Sequence, residues 1–557
     1  MTVSASRGQQ TGGATLVSPP FSPSAERRSA LDRAHLGDIE GAFGRVASFD
    51  TGARLGRRRR FATLVAIMGP GLVVMVADND AGGVSVYAQA GQDYGFRLLW
   101  PLLLLAPVLF INQEMVARLG AVTGAGHARL IFERFGRRWG AFAFGDLLAL
   151  NVLTIVTELI GVSLALSYFG VSRYLSVPLA AVGLVLLTVT GSFRRWERAM
   201  YVLVAVNLIA IPLAVLSHHQ SGAVPGTVVP QLSASLHPRF LLFLIALVGT
   251  TVAPWQLFFH QSNVVDKRIS SRWLAYERVD TLIGTVFFAV GAVAILAASA
   301  FAFAGTPFHG GFVDAGSVAH GLAYRLGPSA GALFALVLLN ASILGAGVVA
   351  LATSYAIGDV AGVKHSLHRH WRDARVFHGS FAGLVALAAA VVLLPGLPLG
   401  IVTVAVQALA GVLLPSASVF LLLLCNDRAV LGPWTNPRWL NGLAVVVVGV
   451  LLELSVLLTL TTLFPRLDLP ATAAALSLAL VIALVLLALL SIRRRNEGPS
   501  FALTPWERGT WTMPPLETLA RPVFSRARTI GLVVLRAYLL TAALLLVVKA
   551  VELVLAA

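Results

Sequence analysis

The chain has 557 residues, of which 57% are hydrophobic and 12% charged. A soluble domain of this length needs far more polar surface to cover its core, so the composition specifies an integral membrane protein. The formal net charge of +16 does not mark a nucleic-acid binder, because the Lys and Arg residues are spread over loops rather than gathered on one domain.

In chain order, residues 1–56 are Ser-, Gly- and Pro-rich without an apolar period, which predicts a disordered cytoplasmic tail. From Phe61 onward, apolar windows of about 20 residues recur, and they predict roughly twelve or thirteen membrane helices. A β-barrel would need alternating segments about half that long. The first five predicted spans are Ala62–Tyr87, Leu98–Leu119, Trp139–Tyr168, Tyr174–Thr190 and Ala199–Leu216. The next five are Phe240–Asn263, Leu282–Phe303, Ala330–Ile357, Phe381–Leu394 and Ile401–Leu424. Leu440–Leu463 and Ala471–Leu490 follow, and a final segment, Leu532–Leu555, lies beyond a basic linker. The implied organisation is a transporter-like core over 57–425, built of two five-helix repeats (about 62–216 and 240–424). Additional helices occupy 426–491, and the linker with the last helix occupies 492–557. In that helix Lys549 and Glu552 form an i,i+3 pair compatible with spanning or with lying at the interface.

Every second loop is basic: Arg57 to Arg60, Arg129 to Arg138, Arg194 to Arg198, Lys267 to Arg278 and Lys364 to Arg375. The intervening loops, such as Ser217 to Pro238, are nearly free of basic residues. The positive-inside rule then predicts a cytoplasmic N-terminus in a plasma-membrane protein. The single cysteine, Cys425, excludes an intramolecular disulfide, and no cleavable signal peptide is expected before the first helix.

Two spans are interrupted in corresponding places. The first carries Asp80-Ala81-Gly82-Gly83 near its middle, within "VADNDAGGVSV". The sixth carries Thr250-Thr251-Val252-Ala253-Pro254. Proline lacks the backbone N–H and clashes with the preceding turn, and paired glycines weaken a helix. Broken helices at matching positions of two halves point to an inverted-repeat secondary transporter with a site at the membrane midplane, here a LeuT-like all-α polytopic fold. Five spans per half, an odd number, place the halves in opposite orientations. A carboxylate at the bilayer centre costs at least about 2.5 to 3.5 kcal/mol, so Asp80 needs a partner, a proton or a cation. One carboxylate with freed carbonyls and water makes a hard-cation site suited to Mg²⁺, Mn²⁺ or Na⁺. Asp78, two residues earlier, falls on the opposite side of a helix and does not share the ligand role by that geometry; it either pairs with Arg or faces a vestibule.

At these residues the sequence resembles the Nramp family of divalent-metal transporters. "GPG" at Gly69 to Gly71 is followed, at the family's spacing, by "DAGG" where the family has Asp-Pro-Gly-Asn. "QAGQDYGFRLLW" (Gln89 to Trp100), "QEMVARLGAVTG" (Gln113 to Gly124) and "VQALAGVLLP" (Val406 to Pro415) also resemble family stretches, and the likeness covers about residues 60–490. The resemblance implies that Asp80 binds the metal, with the carbonyls of Asp80, Ala81, Thr250 and Val252 or Ala253 around it and Gln407 and Thr251 nearby.

The departures carry information about cargo. The family's asparagine is Gly83 here, its metal-binding methionine is Ala253, and its first histidine is Trp255. A thioether favours transition metals, so its loss leaves a wider site of hard oxygen that suits Mg²⁺, an ion that dehydrates reluctantly. These substitutions resemble the Nramp-related magnesium transporter branch. In the third span, "TIVTELIGVSLAL" keeps the family's glutamate as Glu158 but has Ile155 at the acidic position before it, which implies weak or absent proton coupling. Glu158 and His260 are the candidates for proton movement or indirect support of the site. The expected activity is therefore import of partly hydrated Mg²⁺, and Mn²⁺, by alternating access. No resident cofactor, no nucleic acid and no obligatory protein partner are expected beyond the ion and the lipid bilayer. The alternatives are a proton-coupled Mn²⁺/Fe²⁺ importer, an organic-solute (amino-acid) transporter of the same architecture, and a receptor or scaffold whose breaks serve packing alone. An enzyme is the weakest reading, because no nucleophile and base pair, phosphate loop or metal triad is present.

Overall fold

The computed structural model describes residues 32–221, 238–464, 466–493 and 505–556, apart from positions 51, 53, 521 and 523–525. Its first half contains α1 (Arg57–Ile67), α2 (Pro70–Val76), α3 (Ala81–Tyr94), α4 (Leu99–Thr123), α5 (His127–Phe135), α6 (Arg137–Tyr168), α7 (Arg173–Thr188), α8 (Phe193–Asn207) and α9 (Ala210–Ser221). The second contains α10 (Pro238–Thr251), α11 (Pro254–Asp266), α12 (Leu274–Phe303), α13 (Ala315–Leu326), α14 (Pro328–Ala361), α15 (Arg375–Val392) and α16 (Leu399–Cys425). Beyond the core come α17 (Arg428–Leu431), α18 (Arg438–Leu463), α19 (Leu469–Arg493), α20 (Pro505–Thr510) and α21 (Arg526–Ala556). Among the described residues ten helical segments are long and apolar enough to cross a membrane, or eleven if the bent pair α1 and α2 counts as one.

The element order repeats. A broken span (α2–α3) in the first half matches a broken span (α10–α11) in the second. Each is followed by a long helix, a short connecting helix and another long helix: α4, α5 and α6 against α12, α13 and α14. Helices α3 and α2 pack on α12, α11 packs on α4, α10 on α16, and α6 on α14, so each broken span is held by elements of both halves. This is the LeuT-like inverted-repeat arrangement with additional C-terminal helices. The expected final span, Leu532–Leu555, lies within α21, and the side chains of its Lys549 and Glu552 pair fall outside the described residues.

The first span differs from its expectation. Helix α1 is separate from it, bent by 55° from α2 at Met68-Gly69. Gly69 has φ 148°, open only to glycine, and Pro70 takes the first helical position where its missing N–H costs nothing. The break then falls at Ala77–Asp80 rather than at the glycines, and Gly82 and Gly83 lie in the first turn of α3. In the sixth span the break follows the proline as expected. Pro254 opens α11, and Ala253 before it is extended, with φ −87° and ψ 142°.

The expectation of a disordered tail through residue 56 is corrected for residues 32–50; residues 1–31 lie outside the described set. A short turn (Arg33–His35) leads into a hairpin of β1 (Ile39–Gly41) and β2 (Gly44–Val46) that docks on the helix ends. Asp32 bonds Arg369 at 2.7 Å, and Arg268 donates to the carbonyls of Ala34 and Asp38. The Ala42 N–H donates to Glu197 at 2.5 Å, and Arg198 donates to the Ala42 carbonyl at 3.0 Å. Gly41 lies flat on Ala66, where a Cβ would fall 2.1 Å from the Ala66 carbonyl. Composition misses this segment because its partners lie far away in sequence.

Candidate cation site between the broken spans

The site is built from the first turn of α3, the end of α10, and faces of α6, α14 and α16. Asp80 is the N-cap of α3 and is buried; its carboxylate accepts the Gly83 N–H at 2.7 Å. An aspartate at that position satisfies an orphan N–H and is favoured by the helix N-terminus. Glu158, fully buried on α6, accepts the Ala81 N–H on Oε2 at 3.0 Å, while its Oε1 has no partner. The two carboxylates share the space beside Gly345 of α14, where a Cβ would fall 2.5 Å from Glu158 Oε2 and 2.8 Å from Asp80 Cβ.

Gln407, on α16, rests on Gly82: a Cβ there would fall 1.8 Å from Gln407 Nε2, an amide nitrogen that is buried without a partner. Thr250 is the penultimate residue of α10, its Oγ1 also buried and unpartnered. Its carbonyl lies four residues before Pro254, which has no N–H to offer, so the proline frees an acceptor at the break. Thr251 is turned away from such a role. Its hydroxyl donates to the Leu247 carbonyl at 2.8 Å and lies 3.4 Å from the Tyr87 hydroxyl. Val252 still gives its N–H to Val248, and the Ala253 carbonyl accepts the Gln256 N–H at 3.2 Å while its side chain adds only a methyl group.

Two expected carbonyl ligands already take part in hydrogen bonds. The Asp80 carbonyl accepts the Val84 N–H at 2.8 Å, and the Ala81 carbonyl accepts the Ser85 hydroxyl at 2.8 Å. Gly83 is closely packed: a Cβ there would fall 2.8 Å from the Asp78 carbonyl, 3.2 Å from Tyr87 Cε2 and 3.4 Å from Thr250 Oγ1. The structure thus brings together Asp80, Glu158, Thr250, Gln407 and Gly83.

His260 is set apart from Asp80. It lies seven residues into α11 from Ala253, roughly 10 Å along the helix. It joins a buried polar chain in which Gln256 bonds the Asp78 carboxylate, Gln113 donates to Gln256 at 3.0 Å, and His260 bridges Gln113 at 2.9 Å and Glu277 at 3.0 Å. Sequence reasoning missed Gln256, Gln113 and Glu277, although a glutamine two residues after a helix-breaking proline is a visible signal. Asp280 was also missed. Helix α12 begins at Leu274, eight residues before the expected Leu282, and Asp280 accepts the N–H groups of Gly69, Gly71 and Leu72 at 3.0, 2.7 and 3.2 Å. That carboxylate caps α2 from another helix. Nearby, Lys267 pairs with Glu197 at 2.5 Å, both buried. Among the described residues no group of three or more His, Cys, Asp or Glu side chains is arranged to hold a metal ion by itself.

A model of the family described as natural resistance-associated macrophage protein-like (Nramp) matches residues 71–461. The chain belongs to the Nramp family. Among curated Nramp-type relatives, "Divalent metal cation transporter MntH 1" of Pseudomonas aeruginosa is 29% identical over 420 residues, covering 70% of this chain and 90% of that one. "Divalent metal cation transporter MntH" of Ralstonia nicotianae is 30% identical over 401 residues, covering 68% and 87%. Among solved structures, the Eremococcus coleocola manganese transporter bound to an aromatic bis-isothiourea compound matches with a TM-score of 0.59 and 22% identity, covering 80% of this chain and 98% of that chain. MhsT in complex with L-phenylalanine matches with a TM-score of 0.51 and 18% identity, covering 69% and 98%. These two structural likenesses speak to the fold. Within the Nramp motif this chain keeps the aspartate as Asp80 and has Gly83 and Ala253 where the family motif has asparagine and methionine.

Proposed function

We propose that this Nramp chain is a secondary transporter that imports divalent metal cations, Mg²⁺ together with Mn²⁺, in partly hydrated form by alternating access. The observation that carries the reading is the donor set around Asp80. Gly83 brings no amide, Ala253 offers no sulfur, and the buried polar atoms without a partner near Asp80 include Thr250 Oγ1, Gln407 Nε2 and Glu158 Oε1. Hard oxygen with few direct protein ligands suits an ion that keeps water, as Mg²⁺ does. In this reading Asp80 binds the ion, Thr250 contributes its carbonyl, and Gln407 and Thr250 Oγ1 meet its water.

Proton coupling is weak or absent in the same reading, because Ile155 is buried and apolar where the family has an acidic partner for Glu158. The alternation of basic loops supports a cytoplasmic N-terminus in a plasma-membrane protein. The second reading is a proton-coupled Mn²⁺/Fe²⁺ importer, in line with relatives described as divalent metal cation transporters. Purified protein in liposomes separates the two. Saturable Mg²⁺ and Mn²⁺ uptake without matching internal acidification supports the first. Uptake confined to transition metals and accompanied by acidification would replace it with the second.

A further inference from the structure

Asp78 is left over from the site as the family motif draws it. It lies in Ala77–Asp80, where the chain has left the helix between α2 and α3, and it is fully buried. Its Oδ1 accepts from the side-chain amide of Gln256, in the first turn of α11, and its Oδ2 has no partner. Among the described residues the charged group that acts on it is Asp80. A buried carboxylate held only by a neutral amide is costly to maintain unless a cation offsets it. Its carbonyl packs against Gly83, next to the unpartnered Thr250 hydroxyl, and its carboxylate faces the first turn of α11. The residue therefore joins the two breaks at the level where the ion would sit.

We propose that Asp78 is a second carboxylate of the cation site, so that a hydrated divalent cation is balanced by Asp78 and Asp80 together. In the ion-free site the Gln256 amide holds the Asp78 carboxylate. With the ion present, Oδ2 accepts a hydrogen bond from a water of the ion's hydration shell while Oδ1 keeps Gln256. Glu158 is bonded to the Ala81 N–H on the α6 side of Asp80, and Asp78 adds a carboxylate on the α11 side. Holding the ion through its water also fits the small number of direct protein ligands.

The inference rests on the transport reading above. Its test is Mg²⁺ uptake into liposomes by the wild-type protein, Asp78→Asn and Gln256→Lys, with the Mg²⁺-induced rise in melting temperature measured on the same detergent-purified samples. Asp78→Asn removes the charge but keeps an acceptor for Gln256, so a merely structural contact survives it. Gln256→Lys leaves Asp78 in place and neutralises it. The proposal expects each variant that purifies as a monodisperse protein to raise KM for Mg²⁺ about tenfold or more and to lose most of the melting shift. A KM within about twofold of wild type in either variant overturns it while leaving the transport reading intact. No saturable uptake by the wild type refutes the transport reading, and this inference with it.

Discussion

Replacing Gly82 by Ala tests how the site is assembled, because it changes one methyl group at a position where the fold tolerates it. The added Cβ falls 1.8 Å from Gln407 Nε2 and 2.5 Å from its Cδ, and its three nearest neighbours all belong to that flexible side chain. Contact at about 3.5 Å requires the amide to retreat by roughly 1.5 Å or more, out of its position over the first turn of α3. Helix α3 does not suffer, since alanine is favoured over glycine in a helix by up to about 1 kcal/mol. If Gln407 meets the ion or its water, losing that charge-assisted contact costs about 1.5 to 3 kcal/mol, or about 10- to 150-fold in KM. The assay is Mg²⁺ uptake in liposomes for Gly82→Ala, Gln407→Ala and the double variant. The account predicts that the two single changes have similar effects, that the double change is no worse than either, and that the melting temperature is kept. Additive effects, or a Gly82→Ala protein with wild-type KM, would refute the placement of Gln407 in the site.

Restoring the family ligands with Gly83→Asn and Ala253→Met should shift the uptake ratio toward Mn²⁺, since amide and thioether are added. The same pair should lower the melting temperature, because the new Cβ meets the Asp78 carbonyl at 2.8 Å and overpacking costs about 1 to 3 kcal/mol. Asp280→Ala should destabilise the protein by about 3 kcal/mol or more, read as a lower melting temperature in detergent, because three buried N–H groups at the start of α2 lose their acceptor. The docked N-terminal hairpin should be pH-sensitive. Burial pushes His35 down to about 4 from its ordinary 6.5, so the docked state holds fewer protons than the released one over that window. Docking is then strongest above pH 6.5 and weakens as pH falls toward 4, which a spin label on Ser48→Cys would report as rising mobility.

The sixth-span break was legible in the sequence because its cause is local: Pro254 has no N–H and restricts Ala253 before it. The first break was legible only as a region. The paired glycines looked like the defect, yet they are helical, and the chain leaves the helix just before them because Asp80 caps α3. Asp78 was set aside by helical geometry that does not apply where the backbone is unwound. Glu277 and Asp280 carry no local signal of their role, since they precede the expected start of the seventh span at Leu282. Their partners are His260 and the N–H groups of α2, from other spans. Residues 32–50 were hidden for the same reason, since Glu197, Arg268 and Arg369 hold them from distant loops and helix ends. Family motifs singled out Asp80, Thr250 and Gln407, which the structure brings close together, but they could not say which carbonyls the helices bond.

The central claim is that Asp80, between the two broken spans, binds a transported divalent cation. Initial rates of Mg²⁺ and Mn²⁺ entry into liposomes carrying the wild-type protein or Asp80→Ala test it directly, with both proteins shown to be folded and equally incorporated. The account predicts saturable entry of both ions in the wild type and entry at the protein-free background in Asp80→Ala. Undiminished, saturable transport by Asp80→Ala would contradict it.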